Sequence, residues 1–277
     1  MKKILFPTDF SHASINAFVY AIHLASKLNA EIIILHVFDL PMNVFGDYYS
    51  SLPLDYETLE WSEFENYKSD VPIFRDIAER NKGHHINLSY VLERGNPVDI
   101  ILEVAESNHI NFIVMGTKGA SGIEEVLLGT VAEKVMNSTK IPVFAIPEYC
   151  QFKPLNKILF LTQFERRHRA VLGKLLHLSG VFNAHINVLE VKSNPIDDEW
   201  NTLKDWEYNY MEERIDFNII ESDDIENTIL DTIVKNHIDL VAMTVKHKGL
   251  LEKLFLSSIA RNIVFHSKIP VLAIPYE

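Results

Sequence analysis

The chain has 277 residues, 47% of them hydrophobic, which is enough for one large core or for two of about 140 residues each. Its formal charge of −12 excludes nucleic acid and anionic membrane surfaces as partners, because phosphate contacts need clustered Lys and Arg. The single cysteine, Cys150, excludes an intramolecular disulfide, lacks a CxxC partner, and reads as an unreactive thiol in a cytoplasmic protein.

Residues 1–6, MKKILF, mimic the start of a signal peptide, but Pro7, Thr8 and Asp9 end the apolar run at once. No later stretch approaches the roughly 18 apolar residues of a membrane span. Strands are predicted at 3–6, 31–37, 86–91, 111–115 and 142–146. Helices are predicted near 12–28, 56–82 (broken before Pro72), 97–108 and 130–138. The runs EIIILHV and NFIVM are nearly continuous and β-branched, as suits strands covered on both faces of a parallel sheet. Asn96 and Pro97 make a clean helix start, N-cap then first helical position. Further strands follow at 157–161, 186–191, 215–220, 239–243 and 271–274. Such alternation means an open α/β sheet, whose ligands sit outside the carboxyl ends of the strands.

The chain says the same thing twice. KILFPTDF at 3–10 returns as KILFLTQF at 157–164, and AEIIILHV at 30–37 as AHINVLEV at 184–191, both at an offset of 154. NHIN at 108–111 returns as NHID at 236–239, and IPVFAIP at 141–147 as IPVLAIP at 269–275, now at an offset of 128. The first half therefore holds 26 extra residues after its second strand. A linker, EYCQFKPLN at 148–156, joins the halves, with Pro154 as punctuation.

Residues 115–130, MGTKGASGIEEVLLGT, hold four of the ten glycines: Gly116, Gly119, Gly122 and Gly129. The stretch runs from the end of a strand to the start of a helix. A helix N-terminus presents unpaired N–H groups and partial positive charge, and glycines let backbone approach a ligand closely. Thr130 adds a hydroxyl and Lys118 a cation. On the residues alone, phosphate cradling and plain turns are both open readings. Neither GxxxxGK[ST] nor a GxGxxG after the first strand is present.

Gly116, Gly119, Gly129 and Thr130, spaced G-x2-G-x9-G-T, resemble the nucleotide-binding signature of the universal stress protein family. PTDFS at 7–11, LHV at 35–37 and GTVAEKVMNSTKIPVFAIP at 129–147 resemble its flanking segments. The resemblance covers the first half and, more weakly, the second, so the chain is similar to a tandem form with domains 1–148 and 149–277. It implies two tandem open parallel five-stranded sheets flanked by helices, Rossmann-like and related to the adenine nucleotide α-hydrolases, with strand order 3-2-1-4-5. It also implies that Gly116, Gly119, Gly129, Thr130 and the N–H of Val131 hold phosphates and ribose. Pro7, Thr8 and Asp9 would sit beside the nucleoside and the Val37 backbone would face adenine. Met115 ends the strand that delivers the loop, and Lys118 stands where the family often has His or Arg. The implied ligand is ATP, ADP or AMP, with Mg2+. The implied activity is stress-response regulation with at most weak ATP hydrolysis; no catalytic base accompanies the loop. The alternative is a stress scaffold that binds no nucleotide and works through protein contacts.

In the second half, Thr244, His247 and Ser257 replace the three signature glycines and Ser258 replaces Thr130, while Gln163 replaces Asp9 and Leu161 replaces Pro7. Cβ atoms there obstruct close backbone approach, so this half is expected to keep the fold and not to bind nucleotide in the same way. Lys246, Lys248 and Lys253 leave weak binding of another anion open. Family resemblance further implies that Phe144–Ile146 and Leu272–Ile274 pair edge to edge as an internal pseudo-dimer. A homodimer of chains has no motif behind it. Residues 41–70 hold seven aromatics and seven carboxylates against one Lys, and read either as a lid or contact surface or as an extended helix packed on its own half. The shorter counterpart with Trp200, Trp206, Tyr208 and Tyr210 favours packing. The twelve histidines show no metal-ligand spacing; His84 and His85 would face opposite sides of a strand, and His109 and His237 sit near helix ends. Asp9, Ser11 and His12 are too close in sequence for a catalytic triad, and Ser11 is expected to cap the first helix.

Overall fold

The computed structural model describes residues 1–38, 56–117, 130–195, 197–211, 213–246 and 268–276. The first half runs β1 (Lys2–Thr8), α1 (His12–Leu28), β2 (Ala30–Phe38), α2 (Tyr56–Arg80), β3 (Leu88–Arg94), α3 (Pro97–Ser107), β4 (Phe112–Gly116), α4 (Thr130–Ser138) and β5 (Val143–Ile146). The second runs β6 (Lys157–Leu161), α5 (His168–Phe182), β7 (His185–Lys192), α6 (Asp197–Asn209), β8 (Ile215–Glu221), α7 (Ile225–Lys235), β9 (Leu240–Lys246) and β10 (Val271–Tyr276). The strands form one ten-stranded sheet in the order β3-β2-β1-β4-β5-β10-β9-β6-β7-β8. The first five strands thus follow the expected 3-2-1-4-5, and the last five repeat it in mirror sequence.

Within each half the pairing is parallel; β5 and β10 meet antiparallel, Phe144 opposite Leu272 and Val143 opposite Ala273. Phe144 and Leu272 are repeat equivalents, so a local two-fold axis passes through that pair. Side chains alternate along each strand, which divides the interior into two cores. Ile4, Phe6, Ile32 and Ile34 lie under α1, with Phe74 of α2, and the second half adds residues of α5 and α6 to the same cluster. Leu5, Ile33 and Leu35 face the other way, with residues of α3, α4 and α7.

Local signals explain the helix ends. Ser11 Oγ accepts from Ser14 N at 3.2 Å, and Asn96 Oδ1 accepts from Val98 N at 3.0 Å, so both expected caps are in place. α1 and α5 stop at Asn29 and Asn183, in the left-handed region at φ 51° and 55°. His109 and His237 leave α3 and α7 in the same conformation (φ 53° and 54°), and the next N–H returns to the carbonyl five residues back in each case. Their role is conformational.

Two expectations need correction. α2 runs unbroken through Pro72, because the buried Tyr67, Phe74 and Ala78 hold one stripe against the sheet on both sides of it, and Pro72 itself faces solvent. His84 and His85 lie exposed in the turn after α2, with rings 5.7 Å apart, and not in a strand. From Tyr56 onward the aromatic segment belongs to α2: Tyr67 donates to the Val91 carbonyl at 3.2 Å, while Trp61 and Phe64 are exposed. Residues 39–55 lie outside the described set. No helix among the described residues is long and apolar enough to cross a membrane.

Trp206 is fully buried, edge-on to Phe164 at 5.3 Å and near Phe217 at 6.2 Å, whereas Trp200 is 40% exposed. Trp206→Ala is expected to cost about 3–5 kcal/mol in denaturant unfolding. Trp200→Ala should stay within about 0.5 kcal/mol.

Candidate functional site

β1 has β2 on one side and β4 on the other, so the chain turns outward after β1 and returns across it to β4. This reversal opens a crevice at the carboxyl ends of the two strands. Thr8 is level with His36 on β2, and Gly116 with Ile146 on β5. Continuing the β1–β4 register from Leu5 opposite Ile113 places Thr8 beside Gly116.

The turn after β1 is tied down from within. Thr8 is buried; its hydroxyl shares a 2.6 Å hydrogen bond with Ser14 Oγ and accepts from Phe10 N at 3.0 Å. Phe10 takes a left-handed φ of 57°, and Asp9 Oδ1 accepts from Ser11 N at 3.1 Å. His36 Nδ1 lies 2.8 Å from the Thr8 carbonyl, which can only accept, so Nδ1 carries the proton. Its ring is flanked by Phe10 at 5.0 Å and Tyr67 at 6.0 Å.

The sequence-predicted residues therefore divide. Pro7, Thr8 and Met115 are buried, and they present backbone to the rim; the Thr8 hydroxyl is turned inward. Asp9 and Thr130 are exposed, and Val37, Gly116 and Val131 are half-buried. Thr130 opens α4, whose first N–H groups suit an anion. Lys118, Gly119 and Gly129 lie outside the described residues. No three His, Cys, Asp or Glu among the described residues gather as metal ligands.

Gly116 has a reason of its own to be glycine. A Cβ there would lie 3.1 Å from the backbone carbon and oxygen of Ala13 and 3.2 Å from Ser14 N, tighter than ordinary contact. The start of α1 rests directly on the end of β4.

The universal stress protein family model matches residues 1–147 and 212–275. The chain belongs to the universal stress protein family. A universal stress protein of Methanocaldococcus jannaschii is 33% identical over 145 residues, 52% of this chain and 81% of that protein. YxiE, a universal stress protein of Bacillus subtilis, is 27% identical over 144 residues, 52% of this chain and 97% of its own. A universal stress protein from Archaeoglobus fulgidus shares the fold, with a TM-score of 0.78 at 21% identity over 99% of this chain and 98% of that one.

The second rim of this universal stress protein, between β6 and β9, keeps the turn and changes what faces the crevice. Phe164 is again left-handed (φ 50°) and its N–H again donates to a threonine hydroxyl, Thr162, at 3.2 Å. Ser14 is replaced by His168, whose Nδ1 lies 2.9 Å from Thr162 Oγ1. His168 is 3% exposed, its Nε2 has no partner, it meets the Tyr276 ring edge-on at 5.1 Å, and burial lowers its pKa. Gly116 is replaced by Thr244, and α5 begins at His168, two positions later than α1 in the repeat frame. His36 is replaced by Glu190, which is 7% exposed with Oε2 unpartnered. Burial first, then the neighbouring Glu199, pushes its carboxyl above the usual 4.5. The sequence reading passed over His36, Ser14 and Glu190. The offset of 154 pairs His36 with Glu190 inside the quoted LHV and LEV, and that reversal of charge type was the available signal.

Two measurements follow. Gly116→Ala should destabilise by about 1–3 kcal/mol without any ligand, read by urea unfolding. Because the folded pKa of Glu190 is raised, its ionisation weakens the fold as pH climbs from 4.5 through the raised value. Glu190→Gln should therefore raise the melting temperature near pH 8, with the gain shrinking towards pH 4 or so.

Proposed function

We propose that the protein binds an adenine nucleotide at the β1/β4 rim of its first half and acts as a stress-response regulator through a change in conformation or partner binding. The strand order supports this reading: Asp9, Val37 and Gly116 stand at the carboxyl ends of β1, β2 and β4, which flank the crevice where the order of the first half reverses, and Thr130 opens the helix that follows β4. In this reading Asp9 takes the ribose, the Val37 backbone meets the base, and the N–H groups of Thr130 and Val131 with Gly119 and Gly129 hold the phosphates. ATP with Mg2+ is the intended ligand, with ADP and AMP as the other states. The divisions at 1–148 and 149–277, the internal pairing of halves as a built-in dimer, and a cytoplasmic setting belong to the same proposal.

The second rim supports a one-site protein. Glu190 puts a carboxyl group, an acceptor that repels phosphate when ionised, where the first half has the His36 imidazole, and Gln163 cannot replace the Asp9 carboxylate. The competing reading is a scaffold with no nucleotide at either rim.

Native mass spectrometry of the purified protein, followed by calorimetric titration, decides between them. Wild type is expected to carry or bind ATP, ADP or AMP. Asp9→Ala and Gly129→Val should bind at least about tenfold more weakly while each variant still unfolds cooperatively. Absence of binding in wild type, or equal affinity in the variants, would leave the scaffold.

A further inference from the structure

The two-fold axis through Phe144 and Leu272 relates two clefts between the halves, and the chain fills one of them. There the linker lies across α1. Asn16 Nδ2 donates to the carbonyls of Pro147 at 3.2 Å and Cys150 at 2.9 Å. The Tyr20 hydroxyl donates to the Gln151 carbonyl at 2.7 Å and sits 2.8 Å from the buried Cys150 Sγ. Phe152 stacks flat on His23, with centroids 3.6 Å apart and planes 9° from parallel. About 20 Å3 of space remains, walled by Leu24, Phe144, Leu240 and Pro270 among others.

The mate of this cleft opens over α5 with a volume of about 550 Å3. Its walls are the repeat equivalents of the first: Leu178 for Leu24, Leu272 for Phe144, Phe112 for Leu240 and Pro142 for Pro270. No described segment of the chain lies in it. His177 stands where His23 stands, with no ring against it among the described residues. Gly173 widens the floor; a Cβ there meets nothing within 4 Å. Lys174 replaces Tyr20 and Lys2 lines the opposite wall, with no carboxylate among the described lining residues. On a chain of net charge −12, that is a local reversal of sign.

We propose that this cleft docks an extended peptide segment of a partner protein, with an aromatic side chain stacked on His177 and a carboxylate beside Lys174 and Lys2. The linker shows the shape such a guest takes: extended backbone along the helix, one ring flat on the histidine, apolar side chains against the strand ends. The two lysines fix the difference. Lys174 replaces the neutral donor Tyr20 and, with Lys2 opposite, selects an acidic guest, while Ala170, in place of Asn16, offers no amide to hold backbone carbonyls.

The test uses the full chain and a fluorescein-labelled peptide of residues 148–156 carrying Lys153→Glu, read by fluorescence anisotropy. Binding is expected, weakened at least about tenfold by Phe152→Ala in the peptide, by Lys174→Glu in the protein, and by Gly173→Trp, which fills the cleft from an open helix position. Melting temperatures of both protein variants show that the fold is kept. Absence of binding at about 1 mM peptide, or affinity unchanged by Gly173→Trp, overturns the proposal. Sedimentation provides the other overturning outcome: a wild-type dimer that Gly173→Trp dissociates would make a second copy of the chain the occupant.

Discussion

Every asymmetry in this molecule is measured against one backbone contact, the antiparallel pairing of β5 with β10 centred on Phe144 and Leu272. Both strands would otherwise be sheet edges with fully buried-type sequences, open to pairing with other chains. Joined, they carry the interior across the middle of the sheet on both faces. Phe144 and Leu272 belong to one core; Val143, Ala145, Val271 and Ala273 belong to the other. The halves thus share two continuous cores. Because the axis runs through equivalent residues, each rim and each cleft of one half has a counterpart at a known position in the other.

Much of this architecture was legible in the sequence because it rests on periodicity and on repetition. The runs at 31–37 and 111–115 suit strands buried on both faces, and the matched segments repeat the series of elements in both halves, while the strand order was implied by the family resemblance. What was not legible depends on contacts between segments distant in sequence. Pro72 looked like a helix end, since local chemistry argues against proline in a helix interior. The stripe of Tyr67, Phe74 and Ala78 against the sheet overrides that cost. His84 and His85 could be placed only once β3 was seen to start at Leu88.

The candidate site was legible in outline and misread in one respect. The three glycines absent from the second half pointed to a ligand. For Gly116 that inference was incomplete, since the first turn of α1 sits 3.1 Å from where its Cβ would be. No pattern in a single sequence reports that contact. The roles of Thr8 and Ser14 were hidden for the same reason. Thr8 was expected beside the nucleoside and Ser14 carried no reading, yet the two hydroxyls bond each other in the interior and hold the turn that presents Asp9.

Comparison of the halves separates the requirements of the fold from those of the rim. Apart from Lys82 after α2, the non-glycine residues in the left-handed region recur as pairs among the described residues: Phe10 with Phe164, Asn29 with Asn183, His109 with His237. Thr8 and Thr162 both hold the turn after the first strand of their half. These positions answer to backbone geometry, and both copies keep them. The differences collect where side chains look into a crevice: Asp9 against Gln163, His36 against Glu190, Tyr20 against Lys174. Gly116 against Thr244 stands at the boundary between the two classes. Its exchange goes with a helix that starts two positions later and with a larger residue, His168, in the place of Ser14. In the second half a Cβ at that point thus goes with a different helix start, and the same rim carries a buried imidazole, His168, in place of the Ser14 hydroxyl and a buried carboxyl, Glu190, in place of the His36 imidazole. These exchanges sit on the turn after the first strand, on the first helix and on the second strand of each half, so the second half keeps every strand of the sheet and still presents a different chemistry at its edge.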